Sequence, residues 1–381
     1  MLEPPPLQQL RRTYVRVGGR TLIYFSGCDY FRLASHAGVL RAAHAGLRKY
    51  GLSVAASRLT TGNHRLYGEL EERLAGFFAA KDALVVPSGY VTNLIVAQAL
   101  AGTFSHALVD EESHPSLGHA ARLLDCPVLK FEHRSPAALA GTVRRCGPGA
   151  RVMVLTDGMF SRDGAAAPLD EYQSALPRDA VLLVDDAHGA GVLGRTGRGT
   201  LEHAGVGRAQ VIQTITLSKA FGAYGGAILG TPALRQRILD RSQLFVASTP
   251  LPLPLANAAM EGVKVLARGA SLRRRLHANA SYTKAALRAS GHDLPDTPGP
   301  ILFFAPSNSA AASRLKARLL RAGIYPPFMH YPGGPAGGYF RFVISSEHTR
   351  EQLDRVIAVL RGAFFGRSDS VPPRMEANQR K

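Results

Sequence analysis

The first two thirds of the chain contain short apolar runs that end abruptly in polar residues. These runs lie at 84–86, 107–109, 152–155, 181–184 and 211–217. Apolar runs of this length are typical of parallel strands that are buried on both faces of a sheet. Helical patterns separate the runs, for example at 68–80 and 91–100. This alternation predicts an α/β fold with a parallel sheet flanked by helices.

A change of pattern near residue 250 predicts a second, smaller domain. Pro250, Pro252 and Pro254 punctuate the chain there, and a long helix is predicted from residue 256. The later elements are a strand at 301–304, a helix at 309–321, a strand at 339–344 and a helix opening with a Thr349–Gln352 capping box. We therefore divide the 381 residues into an N-terminal segment (1–40), a large domain (41–255), a small C-terminal α+β domain (256–365) and a flexible tail (366–381).

Composition disfavours several classes of protein. The chain has no uninterrupted apolar run of membrane-spanning length and no secretory signal pattern, so we expect a cytoplasmic protein without a membrane span. Three scattered cysteines (Cys28, Cys126 and Cys146) do not form a disulfide framework. The net charge of +18 suits an anionic partner, although 38 arginines among 46 basic residues also suit a GC-rich genome. We expect no metal and no nucleic acid, because neither zinc-ligand spacing nor an RNA-binding signature accompanies the charge.

Polar side chains follow the predicted strands where ligands of an open parallel sheet bind, beyond the carboxyl ends. They are Ser88, Gly89 and Tyr90; Ser113 and His114; Asp185, Asp186 and His188; and Thr216, Ser218 and Lys219. Lys219 lies in a glycine-rich segment that permits close approach of a cofactor, which indicates an imine-forming lysine. Taken singly, a strand-end aspartate more often caps a loop and a lysine is usually a solvated charge.

Together these residues match the needs of pyridoxal 5'-phosphate. The cofactor requires a lysine for its aldehyde, a carboxylate for its pyridine nitrogen and a cradle for its phosphate. Lys219 is predicted to form the imine, and Asp185 is predicted to face the ring nitrogen. The amides after Ser88, at a helix N-terminus, are predicted to hold the phosphate beside the hydroxyls of Thr216 and Ser218.

The motifs in this order resemble the α-oxoamine synthases, fold type I pyridoxal phosphate enzymes that include 8-amino-7-oxononanoate synthase and glycine C-acetyltransferase. The resemblance covers about residues 20–362. It depends on segments 110–116, 156–164, 184–199 and 216–222, on 248–250, and on Arg341 followed by His348 and Thr349. It implies a large domain with a mostly parallel seven-stranded sheet and a small C-terminal α+β domain.

The resemblance also implies a role for individual residues. Lys219 would form the imine and transfer protons, and Asp185 would pair with the pyridine nitrogen. His188 and Ser161 would lie near the ring hydroxyl, and His114 would stack on the ring. The phosphate would contact Gly89, Tyr90 and Thr216. It would also contact Thr249 of the partner subunit, which implies a homodimer with the site at its interface. Arg341 would bind the amino-acid carboxylate.

The implied reaction condenses an amino acid with an acyl-CoA or acyl carrier protein thioester to an α-amino ketone, usually with loss of CO2. Segment 28–32 departs from the family's Asn-Asp-Tyr-Leu-Gly, since Cys28 replaces the Asn that helps hold the carboxylate. Segments 51–58 and 331–338 also depart, so the substrates stay open. Two alternatives are an aminotransferase of the same fold and a non-catalytic scaffold subunit; Lys219 argues against the second.

Overall fold

The computed structural model describes residues 5–10, 12–331 and 334–363. Its centre is a seven-stranded sheet with strand order β4-β10-β9-β8-β7-β5-β6. The strands are β4 (Asp82–Val86), β5 (His106–Asp110), β6 (Val128–Phe131), β7 (Val152–Asp157), β8 (Val181–Asp185), β9 (Val211–Thr216) and β10 (Gly226–Gly230). Five of them, β5 to β9, run parallel, and β10 is antiparallel to both of its neighbours. The predicted mostly parallel, seven-stranded sheet is therefore confirmed.

Burial explains which strands were visible in the sequence. All six residues of β7 and of β9 are buried, as expected of strands covered by helices on both faces. By contrast, β10 begins and ends with glycine, and β6 lies at the edge of the sheet with two exposed residues. Neither of these two strands carries the long apolar run that marks the central ones.

Ten helices surround the sheet within the described part of the chain up to residue 267. They are α1 (Ala37–Tyr50), α2 (Arg65–Phe78), α3 (Gly89–Ala99), α4 (Pro115–Arg122), α5 (Pro136–Arg145), α6 (Leu169–Ala175), α7 (Thr200–His203), α8 (Pro232–Arg241), α9 (Gln243–Val246) and α10 (Leu253–Ala267). The long helix predicted from residue 256 begins at Leu253. It lies directly on α1, because a Cβ at Gly46 would be 3.0 Å from the Cα of Pro254.

The C-terminal elements form a small α+β domain, as predicted. They are α11 (Ala270–Arg288), β11 (Ile301–Phe304), α12 (Ser309–Arg321), β12 (Phe328–Met329), β13 (Tyr339–Val343) and α13 (Arg350–Arg361). The three strands form an antiparallel sheet in the order β11-β13-β12. The predicted capping box between Thr349 and Gln352 is present at the start of α13. The predicted tail at 366–381 lies outside the described residues.

The N-terminal segment connects the two domains. It forms a small sheet of β1 (Gln8–Gln9), β2 (Tyr14–Val17) and β3 (Arg20–Ile23), followed by a 3-10 helix at Leu33–Ser35. Phe25 accepts a backbone hydrogen bond from Val343 of β13 at 2.8 Å. A few residues later the segment meets the loop after β9, since a Cβ at Gly222 would lie 2.3 Å from the carbonyl carbon of Leu33. Residues 23–35 therefore connect the small domain to the Lys219 loop.

Helices long and apolar enough to cross a membrane are absent from the residues that the structure describes.

Candidate active site

The polar residues predicted as a site meet at the carboxyl ends of the central strands. Asp157, Asp185 and Thr216 are the last residues of β7, β8 and β9. Lys219 follows β9 by three residues, and its Nζ lies 2.7 Å from Nε2 of His188. Parallel strands bring these side chains together because their carboxyl ends share one edge of the sheet.

Burial favours the neutral forms of the Lys219 amine and of the His188 ring. Desolvation lowers the pKa of Lys219, although the nearby Cys28 and Asp185 oppose the shift. Desolvation, followed by the positive charges of Lys219 and Arg341, also holds the pKa of His188 well below its usual value. On its other side His188 is fixed by the Tyr30 hydroxyl, which lies 2.7 Å from Nδ1. The lysine is therefore suited to act as a nucleophilic amine.

The Asp185 carboxylate is held by buried polar groups. Its Oδ2 accepts a hydrogen bond from the Asn93 amide at 2.7 Å, and its Oδ1 accepts one from the backbone N–H of Ala187 at 3.1 Å. The carbonyl oxygen of Asn93 in turn accepts a hydrogen bond from Thr214 at 2.7 Å. Only 6% of Asp185 is exposed. This network fixes the orientation of the carboxylate.

His114 is the N-cap residue of helix α4, at the edge of the same site. Its Nδ1 lies 2.8 Å from Oγ of Ser116, and that hydroxyl lies 3.5 Å from Asp185 Oδ2. Its backbone N–H donates to Asp157 at 2.6 Å. Desolvation, and next the charge of Asp185, raise the pKa of Asp157 well above its usual range. Asp157 therefore serves as a buried hydrogen-bonding group that orients the His114 backbone.

The predicted phosphate end lies at the N-terminus of α3. Ser88 is the N-cap residue, and its side chain makes no capping hydrogen bond to the first amides of the helix. Gly89 lies against β9, because a Cβ there would be 2.6 Å from the Cβ of Thr216. The Tyr90 hydroxyl contacts Nδ1 of His119 at 2.5 Å. Ser218 is exposed, and its backbone N–H donates to Thr216 Oγ1 at 3.2 Å.

Arg341 reaches the site from β13 of the small domain. Its guanidinium is buried, with 9% of the residue exposed, and its Nε donates to the carbonyl of Ser161. Its Nη1 and Nη2 lie 3.6 Å and 3.5 Å from Sγ of Cys28. Both domains and the N-terminal segment therefore contribute to one pocket.

Two predicted residues lie away from this cluster. Thr249 is exposed in the loop between α9 and α10, and among the described residues of one chain it makes no hydrogen bond to the Lys219 cluster. Asp186 is fully buried on the other side of the strand end. It accepts hydrogen bonds from the Thr200 amide at 2.8 Å and the Gln213 amide at 2.7 Å, and so holds the following loop in place.

Sequence reasoning gave no role to Tyr30, Asn93, Ser116 and Asp157. Asn93 had a usable signal, because it is one of two amide side chains within the apolar pattern at 91–100. Ser116 and Asp157 lie inside segments 110–116 and 156–164, on which the family resemblance depends. Tyr30 matches the tyrosine of the family's Asn-Asp-Tyr-Leu-Gly segment, but its partner His188 is 158 positions away, so the contact between them was not predicted.

Comparison with known proteins gives the same picture. Residues 22–360 match the family model of aminotransferase class I and II. The 8-amino-7-oxononanoate synthase of Thioalkalivibrio sulfidiphilus is 36% identical over 356 residues, which cover 93% of this chain and 91% of that protein. The solved serine palmitoyltransferase of Sphingomonas wittichii matches with a TM-score of 0.87 at 28% identity, covering 92% of this chain and 89% of that one.

A further solved neighbour, a serine palmitoyltransferase with pyridoxal phosphate, matches with a TM-score of 0.89 at 26% identity over 94% of this chain and 92% of its own. The sheet, the small domain and the lysine after β9 thus define a fold type I pyridoxal phosphate transferase. Within that class, the chain belongs to the α-oxoamine synthases, the pyridoxal phosphate-dependent acyltransferases of the aminotransferase class I and II family. The predicted fold class, cofactor and family are confirmed, whereas the roles of individual site residues stay predictions.

Proposed function

We propose that this protein condenses a small amino acid with an acyl thioester, either acyl-CoA or acyl carrier protein, in the manner of 8-amino-7-oxononanoate synthase. The product would be an α-amino ketone, and CO2 would be released. The observation that carries the proposal is the 2.7 Å contact between Lys219 and His188 in a pocket that also contains the buried Arg341.

The residues present fit pyridoxal phosphate. The first amides of α3 have no side-chain cap, which leaves donors for a phosphate at a helix N-terminus. Lys219 would hold the cofactor through its amine, and Asp185 would hold a proton at the pyridine nitrogen. His114 and Ser161 would lie beside the ring. The bound cofactor supplies an electron-accepting ring that stabilises negative charge at the α-carbon of the amino acid.

The protein's own groups then divide the work of proton transfer. Once the amino acid is bound, the free amine of Lys219 would take its α-proton, a task that suits an amine whose pKa is lowered by burial. Neutral His188 would donate a hydrogen bond to the thioester carbonyl oxygen, where negative charge develops. Tyr30 would keep the imidazole in the required orientation.

Arg341 would bind the substrate carboxylate. Its guanidinium makes no ion pair with any carboxylate in the described part of the chain, so a buried positive charge faces the pocket without an acidic partner. A substrate carboxylate would neutralise that charge and accept paired hydrogen bonds.

We infer that the active form is a homodimer, in which Thr249 of the partner subunit would contact the phosphate. The exposure of Thr249 and of apolar side chains such as Leu52 supports this assembly. The net charge of +18 would favour an anionic thioester carrier. A cytoplasmic location accords with such substrates.

The test combines a lysine variant with a substrate panel. We expect Lys219→Ala to lose turnover by about a thousandfold or more, because the variant lacks both the covalent attachment and the proton-transfer group. Borohydride reduction followed by peptide mass spectrometry would locate the attached cofactor on the wild-type peptide that contains Lys219. Circular dichroism would check that the variant is folded.

The wild-type protein would then be titrated with glycine, alanine and serine and with acyl thioesters. The expected result is release of free thiol and CO2 that depends on one amino acid. Amine transfer to 2-oxo acids without thiol release would instead identify an aminotransferase. Covalent cofactor attachment in Lys219→Ala would overturn the assignment of the lysine.

A further inference from the structure

Cys28 lies in contact with the guanidinium of Arg341, at the site proposed to bind the substrate carboxylate. Its Sγ is 3.5 Å from Nη2 and 3.6 Å from Nη1 of Arg341. The cysteine is a free thiol and is only partly buried, so a small reagent in the pocket can reach it. Across the described residues, this sulfur is the only hydrogen-bond acceptor that faces the two terminal nitrogens of Arg341.

The surroundings favour the reactive, ionised form of this thiol. Burial opposes ionisation, but the positive charges of Arg341 and Lys219 outweigh it, so that the pKa of Cys28 is lowered from its ordinary value. A thiolate beside an arginine is the usual setting of a nucleophilic cysteine. It also gives the buried guanidinium a counter-ion while the pocket holds no substrate carboxylate.

The other two cysteines lack this setting. Desolvation, and next the charge of Asp125, raise the pKa of Cys126. Desolvation also raises the pKa of Cys146, although Arg145 opposes the shift. Both are partly buried, as Cys28 is, so all three thiols are comparable in access but not in charge environment. They are therefore internal controls for the reactivity of Cys28.

We propose that Cys28 is a nucleophilic modification site for small electrophiles that carry a carboxylate, which Arg341 binds and positions beside the sulfur. The inference rests on the proposed function in one respect, that Arg341 is a carboxylate site. Modification would place a negatively charged group on Arg341 and so exclude the amino-acid substrate.

The reaction with iodoacetate illustrates the chemistry. The Cys28 thiolate attacks the methylene carbon, a carbon–sulfur bond forms and the carbon–iodine bond breaks. The electron pair of that bond leaves with iodide, and the proton of the thiol has already passed to solvent. No oxidant or reductant is consumed. The carboxylate of the adduct remains on the sulfur, next to the Arg341 guanidinium.

The experiment compares iodoacetate with neutral iodoacetamide on the cofactor-loaded protein, with peptide mass spectrometry reporting the alkylation rate at each cysteine. We expect the ratio of the iodoacetate rate to the iodoacetamide rate to be at least about tenfold higher at Cys28 than at Cys146, because only the Cys28 site has a buried guanidinium in contact. Propionate should slow iodoacetate at Cys28, and propionamide should not.

An Arg341→Gln variant should lower the ratio at Cys28 to that at Cys146. If this variant fails to fold, the comparison of propionate with propionamide on the wild-type protein still tests whether a carboxylate site directs iodoacetate to Cys28. Equal ratios at Cys28 and Cys146, or no alkylation of Cys28 while Cys146 reacts, would overturn the proposal. The proposed function is tested separately by thiol release from acyl thioesters, so selective labelling of Cys28 without thiol release would contradict that function and leave this inference standing.

Discussion

At the scale of single residues, the orientation of the Asp185 carboxylate depends on Asn93. The Asn93 amide is fully buried and joins Asp185 to Thr214 through two hydrogen bonds of 2.7 Å. We expect Asn93→Ala to slow solvent exchange of the amino-acid α-proton roughly tenfold or more, because a hydrogen bond to a charged group contributes about 1.5–3 kcal/mol. Exchange would be followed by NMR in deuterated buffer with the cofactor-loaded protein.

The matched control is Asn257→Ala. Asn257 on α10 donates to the carbonyl of Ala42 at 2.7 Å, and in the described part of the chain it makes no hydrogen bond to Asp185, Asn93 or Thr214. This variant should lose some stability, but its rate of α-proton exchange per mole of bound cofactor should equal that of the wild-type protein. Unchanged exchange in Asn93→Ala would show that Asn93 does not position Asp185.

At the scale of elements, Glu71 holds α2 against the strand that leads to Ser88. Its carboxylate accepts hydrogen bonds from the backbone N–H of Val85 at 2.9 Å and from Arg235 at 3.1 Å, and it pairs with Arg58. Only 4% of Glu71 is exposed. We expect Glu71→Ala to lower the free energy of unfolding by about 3–5 kcal/mol, because it leaves buried positive charge uncompensated. Urea denaturation would measure the loss.

Glu69→Ala is the control on the same helix. Glu69 pairs with Arg65 at 3.6 Å on an exposed face, where an ion pair contributes at most about 0.5 kcal/mol. A comparable loss in both variants would contradict a special role for Glu71. Glu69 and Glu71 are two positions apart, and their expected contributions to stability differ because only Glu71 is buried. The helical pattern in the sequence does not predict the burial of a charged residue.

At the scale of the whole molecule, His348 connects the N-terminal segment to the small domain. Its ring stacks on Phe25 with centroids 4.1 Å apart, its Nε2 faces the carbonyl of Tyr24 at 3.1 Å, and its Nδ1 accepts from the Ser345 N–H at 2.9 Å. Burial, and next the charge of Arg32, lower the pKa of His348 to about 3. The histidine is therefore neutral in the folded protein at pH values well above that.

This shift predicts acid destabilisation. The unfolded chain binds a proton at His348 near pH 6.5 and the folded chain only near pH 3, so the unfolded state is favoured as pH falls between these values. As the pH falls through that window, we expect protonation of His348 in the unfolded chain to lower the free energy of unfolding by up to about 1.4 kcal/mol per pH unit. Urea denaturation at several pH values would show a shallower dependence in His348→Gln. His44→Gln, on the exposed surface of α1, should keep the wild-type slope.

The central strands and the residues at their ends could be predicted from the sequence alone. Runs such as 152–155 and 181–184 are apolar throughout because both faces of those strands are covered, and that requirement is local and visible. The lysine, the carboxylate and the phosphate cradle at the strand ends, taken together, predicted the cofactor. The strand β10 was not visible, because a short glycine-bounded segment is stabilised only by pairing with its neighbours.

The set of side chains that share the pocket depends on the tertiary structure. Tyr30 and Cys28 reach His188 and Arg341 because residues 23–35 cross from the small domain to the Lys219 loop. Asp185 and Asp186 are adjacent in sequence, yet they face opposite sides, since consecutive residues at a strand end alternate in direction. Contacts over such separations depend on how the domains pack, and no periodicity within a single element encodes them.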